Sequence, residues 1–492
     1  MMGNRCVITI LLSAIFLPII AQNRSIFEQY KRQKQQQLSD YSEKKQKEFD
    51  EYRRQKNREF AEYMRQRWPE YDPTPAEPIP DFPEPPMPVI KEPDTEPSND
   101  PIPYDDVRPL PEPMPSPQPL TPLPDPITPP QTSFSFVFYG QKCDIPLENR
   151  HRFMLSGISE EAVADGWMLL SADDYLPIVA KCLDYRNSLH LCDWGYVRFV
   201  EQLTLRFFTS AQQNEARLMQ MYILTQSGYK VRIARTADKL VVLLPSKEQI
   251  YEYPYLKMDG GNYYITDTLI ADGPLNVYEH EFPEEQYFSL QIAEQPLFPV
   301  VASASRHLQS SHDATISAKI TVNKNLIDFY NSYPLSSHWE LYSRASLSQH
   351  VKLQLYPVLK NAIAGKTEVV AANMLIHFVQ TAFEYQTDDK QFGRERALFS
   401  DETLYYPYSD CEDRAILFSV LVRELLGLDV VLLHYPGHLA TAVCFTEDVA
   451  GDYLKIDNKS YIVCDPTYIN ADIGMTMPQY KQTAASVIRI GE

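Results

Sequence analysis

The sequence predicts an α+β fold in which one helix-and-sheet unit occurs twice, after a long helix and a proline-rich linker. Three observations carry this. Two segments match in pattern: "NEARLMQMYILTQSGYKVRIARTADKLVVLL" with a later "YLKMDGGNYYITD", and "CEDRAILFSVLVRELLGLDVVLLHYPGHLATAV" with a later "YLKIDNKSYIVCD". Each reads as a buried helix, a glycine stop (Gly228, Gly427), a strand, a turn, a second strand and a hairpin ending in aspartate. Near the start, an eleven-residue period is helical. Between the two regions, the stretch from Pro69 to Pro130 holds 24 of the 39 prolines and cannot build a core.

In chain order, residues 1–21 read as a secretory signal: Arg5 gives the positive start, "CVITILLSAIFLPIIA" the short apolar core, and Ala21 the cleavage point. The expected compartment is therefore outside the cytoplasm, periplasmic or secreted, with no transmembrane span in the mature chain. Over 23–69 the repeats "FEQYKRQKQQQ", "LSDYSEKKQKE", "FDEYRRQKNRE" and "FAEYMRQRWPE" place Phe27, Leu38, Phe49 and Phe60 at one position. Tyr30, Tyr41, Tyr52 and Tyr63 stand three residues on. Eleven residues fill three helical turns, so the aromatics form a nearly straight stripe with slight right-handed drift. The stripe leaves self-association, partner binding and plain solvation open. Residues 70–132, with thirteen acids against two bases up to Pro130, read as an extended, partly polyproline spacer. The folded part then divides into a first copy over 133–290, a small β unit over 291–330 and a second copy over 331–492.

A net charge of −19 without a broad basic face argues against a nucleic-acid partner. Beyond the signal six cysteines remain, Cys143, Cys182, Cys192, Cys411, Cys444 and Cys464, an even number that allows three bridges in an oxidising compartment. No CxxC pair or His/Cys cluster has zinc-ligand spacing, and no cofactor is expected.

The two copies differ where chemistry would sit. The second has Cys411, His438 and Asp465; the first has Asn214, Lys239 and Asp267. The first also lacks the loop "QFGRERALFSDETLYYPYS". Ser409 and Glu412 have capping-box spacing, which would start a helix at Asp410 or Cys411 and set the thiol where the helix dipole favours an anion. Asp410, Glu412 and Asp413 oppose that unless they face away. His438 opens a returning strand and Asp465 closes the next. A thiol at a helix start with histidine and aspartate on adjacent strands is what a Cys-His-Asp triad needs: nucleophile, proton carrier, orienter. His434, inside the preceding strand, is the weaker rival. Against the triad stand the bland alternatives, a bridge from Cys411 to Cys444 or Cys464, a satisfied strand histidine and an aspartate that starts a turn.

The order Cys, His, Asp, with "DCEDRA", "GH.AT" and "CDPT", resembles the transglutaminase-like superfamily, and within it the bacterial transglutaminase-like cysteine peptidases. The likeness covers about 355–468 and, in degenerate form, about 175–267. It implies a papain-like core and thiol acyl transfer, usually amide hydrolysis of a protein or peptide substrate, with Cys411 as nucleophile, His438 as base then acid and Asp465 as orienter. Crosslinking enzymes and inactive scaffolds share that fold, so amine acylation and non-catalytic binding stay open. One oxyanion donor would be the Cys411 N–H; for a second, Gln391, Tyr405, Tyr406 and Tyr408 are equal candidates.

Overall fold

The computed structural model describes residues 5–80, 87–92, 95–110, 115–124, 133–266 and 273–491, with side chains from 29 onward. The chain is mixed α+β. A single helix, Arg5–Met64, opens it and is about 90 Å long at 1.5 Å per residue. It ends five residues short of Pro69, where the Trp68 indole turns back and donates to the Met64 carbonyl at 2.9 Å. Among its described side chains, those of the C-terminal part pack. Phe60 lies among the rings of Trp167, Tyr278 and Phe282, 4.7–5.3 Å between centroids. No described helix is long and apolar enough to cross a membrane.

Two six-stranded sheets follow, each behind a buried helix. Behind Gln213–Gln226 the order is Glu70–Tyr71, Leu275–Tyr278, Arg232–Arg235, Leu240–Ser246, Gly261–Ile265, Tyr255–Met258. Behind Cys411–Leu426 it is Tyr104–Arg108, Ala485–Arg489, Asp429–Tyr435, His438–Cys444, Lys459–Cys464, Tyr453–Ile456. The five strands after each helix thus share one spatial order, with the last strand beside the first and the third at the far edge. The helix stops are the expected glycines. Gly427 caps at φ +70°, and its N–H reaches the Arg423 carbonyl. Gly228 has a second constraint: a Cβ there would lie 2.1 Å from the Gln118 carbonyl oxygen.

That contact belongs to the proline-rich segment, which does not stand clear of the core. Its described parts form a strap along both sheets. Glu70–Tyr71 and Tyr104–Arg108 supply the outermost strands, antiparallel and parallel to their neighbours. Single bridges join Thr74 to Tyr255, Ile90 to Ile469 and Pro101 to Tyr453. Proline is disfavoured where a strand pairs on both sides because it lacks an N–H, but an edge strand needs only half its backbone groups paired. Between the two helix-and-sheet units in sequence, Arg306–Gln309 and Ser317–Ile320 pair as a hairpin. Arg306 from it donates to the carbonyls of Leu404 (2.9 Å), Tyr406 and Pro407 (3.3 Å), which fastens the loop leading to Cys411.

Candidate active site

Cys411 is the first residue of its helix. The cap is Asp410, one residue after the Ser409 expected from spacing, and the Asp413 carboxylate accepts from the Asp410 N–H at 3.3 Å. Ser409 has another role: its hydroxyl accepts from Arg414 Nε at 3.2 Å. From Cys411 to Val422 every side chain is buried, so the apolar run holds the helix under the sheet and takes the thiol inside with it. His438 opens its strand as expected, and its Nε2 lies 2.8 Å from Asp465 Oδ2. The imidazole stacks on the Tyr480 phenol at 4.9 Å and 13°, and Tyr435, itself 4.8 Å from Tyr480, lies 6.3 Å from it. Its Nδ1 is buried and makes no hydrogen bond.

The three residues meet in one buried place, 3 %, 2 % and 3 % exposed for Cys411, His438 and Asp465. The Leu439 N–H, next in chain to His438, lies near the Cys411 sulfur and favours its thiolate, and the Tyr480 phenol that covers the imidazole feels the same sulfur. The rival His434 packs on the Trp339 ring at 4.4 Å, and burial pushes it down to about 4. In the first helix-and-sheet unit, the Asn214 side chain accepts from the N–H of Leu240, the first residue of its strand, at 2.8 Å. Asp267 lies outside the described residues.

The acids beside the cysteine do not all face away. The thiol donates to Glu412 Oε2 at 3.1 Å. Burial first, then the charges of Glu412 and Asp410, push the thiol well above its ordinary range, against the helix dipole. The cluster widens to Asp388 and Glu395 from the loop and to Asp413, and burial raises all of them, Asp413 to about 7 and Glu395 to about 9. Asp388, Asp410 and Glu412 each offer an oxygen within 4.8 Å of the others, all three residues buried. Asp410 Oδ1 and Glu412 Oε1 have no hydrogen-bond partner. Such a set of carboxylates suits a hard divalent cation. Spacing gave no sign of it, because Asp388 arrives from a different turn of the chain.

Sequence reasoning also missed the residues that hold the triad together. Gln380 Nε2 donates to the carbonyls of Tyr468 (2.8 Å), Ala471 (3.0 Å) and Asp465 (3.3 Å), and its Oε1 accepts from Asn470 N–H. The Gln380 and Phe383 carbonyls accept from Arg414, one turn below Cys411. Glutamine and arginine thus tie the aspartate turn to the cysteine helix. A buried glutamine in an apolar helix was the only available signal. Of the proposed oxyanion donors, the Tyr406 hydroxyl is turned to Asn331 at 2.9 Å, whereas Tyr385 and Tyr480, neither singled out, are the phenols influenced by the sulfur.

The six described cysteines are free thiols, so Cys411 is joined to neither Cys444 nor Cys464 and none of the three allowed bridges is formed. Comparison of the chain with protein-family models, with curated proteins and with solved structures returned no match.

Proposed function

We propose that the protein is an exported cysteine hydrolase of papain/transglutaminase-like fold, built from a degenerate and an active copy, that cleaves an amide in a protein or peptide. The observation that supports this most is the His438–Asp465 pair: Asp465 holds Nε2 and leaves Nδ1 buried and unpartnered, one residue before the Leu439 N–H that lies near the Cys411 sulfur. The sulfur attacks the amide carbonyl while the thiol proton passes to His438 Nδ1. The amine leaves with that proton, and a thioester remains. Water then gives a proton back to the imidazole, attacks the thioester and releases the acid as the thiol reforms. Asp465 keeps the ring oriented and stabilises its charged form.

A second reading, a non-catalytic scaffold, draws on the raised and buried thiol of Cys411. The pH profile of iodoacetamide labelling at Cys411 separates the two, read by peptide mass mapping in the native chain and in His438→Ala. Labelling that His438→Ala slows across the pH range, accompanied by cleavage of fluorescent casein, is the expected result. Labelling indifferent to His438 would sink the hydrolase reading.

A further inference from the structure

The strap crosses the turn that carries Asp465. The Lys91 N–H donates to the Ile469 carbonyl at 2.9 Å, and the Ile469 N–H donates to the Val89 carbonyl at 2.8 Å. Both backbone groups of Ile469 are therefore spent on two residues of one extended segment, which is how a peptide adds itself to an exposed edge. Ile469 stands four residues past Asp465, in the turn that Gln380 fastens. Val89 packs against the apolar cluster that includes Tyr435, Tyr468 and Tyr480. Two of these rings, Tyr480 at 4.9 Å and Tyr435 at 6.3 Å, lie beside His438.

The hold is thin here and firm further along. Ile90 is 67 % exposed, so of the two neighbours only Val89 reaches inward. Beyond it, Asp100 and Ile102 exchange backbone bonds with Tyr453, Asn99 accepts from the Gly451 N–H at 2.7 Å, and Tyr104–Arg108 is a sheet strand. Residues 87–92 can therefore lift while the later part stays anchored. With the triad almost wholly buried, some such movement has to precede any reaction at the thiol.

We propose that residues 87–92 occupy the edge on which an extended substrate chain pairs, so that the strap is a built-in competitor of the substrate. This rests on the hydrolase reading for the word substrate. The substrate is then an unfolded or loop segment of polypeptide, bound through its backbone to Ile469, with an apolar side chain where Val89 now lies.

The test uses the full chain with Lys91→Pro, which removes the donor to Ile469, and separately Val89→Asp, which drives the side chain off the tyrosines. Iodoacetamide labelling of Cys411 at fixed pH should accelerate about tenfold in both, as a local opening becomes favoured. The hexapeptide MPVIKE, added in trans, should bind the variants and restore protection. Unchanged labelling in a folded variant, or acceleration that the peptide does not reverse, overturns the proposal. Should a variant lose its fold, hydrogen exchange in the native chain decides: the Ile469 amide should exchange faster than the Val463 amide of the neighbouring strand, and equal protection overturns the proposal. Peptide-reversible labelling without hydrolysis of any substrate keeps the strap inference, with the hexapeptide's edge as a binding edge, and ends the hydrolase reading.

Discussion

Glu412 accepts a hydrogen bond from the thiol next to it in the chain, and after burial its charge is the largest influence that keeps Cys411 protonated. A helix start favours a thiolate, but a buried carboxyl beside the sulfur competes for the same ionisation: whichever loses its proton first makes the next loss harder. Glu412→Gln keeps the shape and removes one competitor. The labelling profile of Cys411 should then move down by about one to three pH units, the usual reach of a neighbouring charge. An unmoved profile would mean that burial alone sets the thiol. Gln380 argues at the same scale. Gln380→Met keeps its length and loses every bond to the Asp465 turn, so hydrolysis should fall well before the melting temperature does; parallel losses would assign Gln380 to stability only. Cys411, His438 and Asp465 could be placed from the sequence because each stands at an element boundary that leaves a mark in the pattern. Gln380 and Arg414 could not, because their partners are backbone carbonyls, which no residue type advertises.

At the scale of elements, the long helix changes character along its length. Position one of the repeat is Leu38, 67 % exposed, then Phe49 at 36 %, then Phe60 at 2 %. Three tyrosines of the stripe, though exposed, carry a lysine of their own helix: Lys34, Lys45 and Lys56 lie 5.6–6.0 Å over Tyr30, Tyr41 and Tyr52, each four residues on. Lysine–glutamate pairs such as Lys45–Glu48 and Lys56–Glu59 add to the same face pattern. Part of the eleven-residue period is thus explained by contacts within one helix. Phe60→Ala should destabilise the protein by about 3–5 kcal/mol, as an aromatic lost from a packed core does. Leu38→Ala should change stability by less than about 0.5 kcal/mol. Thermal melts at two protein concentrations check both, since a helix that zips to a second copy would make the Leu38→Ala effect large and concentration-dependent. Periodicity made the helix and the paired units legible. The strap was not, because edge pairing is made by backbone groups and leaves proline-rich composition unchanged.

For the molecule as a whole, the buried acids of the second unit set a pH limit. Unfolded, these carboxyls ionise near pH 4; folded, Asp413 holds its proton to about 7 and Glu395 to about 9, with Asp388, Asp410 and Glu412 also raised by burial. Above pH 4 the folded state therefore binds more protons than the unfolded one, and stability is lost as pH rises through the folded values. His434, pushed down to about 4, works the other way only below its unfolded value near 6.5, so the acids are left to act from about 6.5 upward. In chelator, with no cation to neutralise the cluster, the melting temperature should fall steadily from pH 6.5 to 8.5. Asp388→Asn removes one of these ionisations and can still accept from the Arg396 N–H, now at 2.7 Å. It should flatten the slope and melt higher than the native chain at pH 8. A native melting curve flat over that range would mean that the cluster is already ionised and compensated, and that the thiol of Cys411 faces less opposition than the buried carboxyls imply.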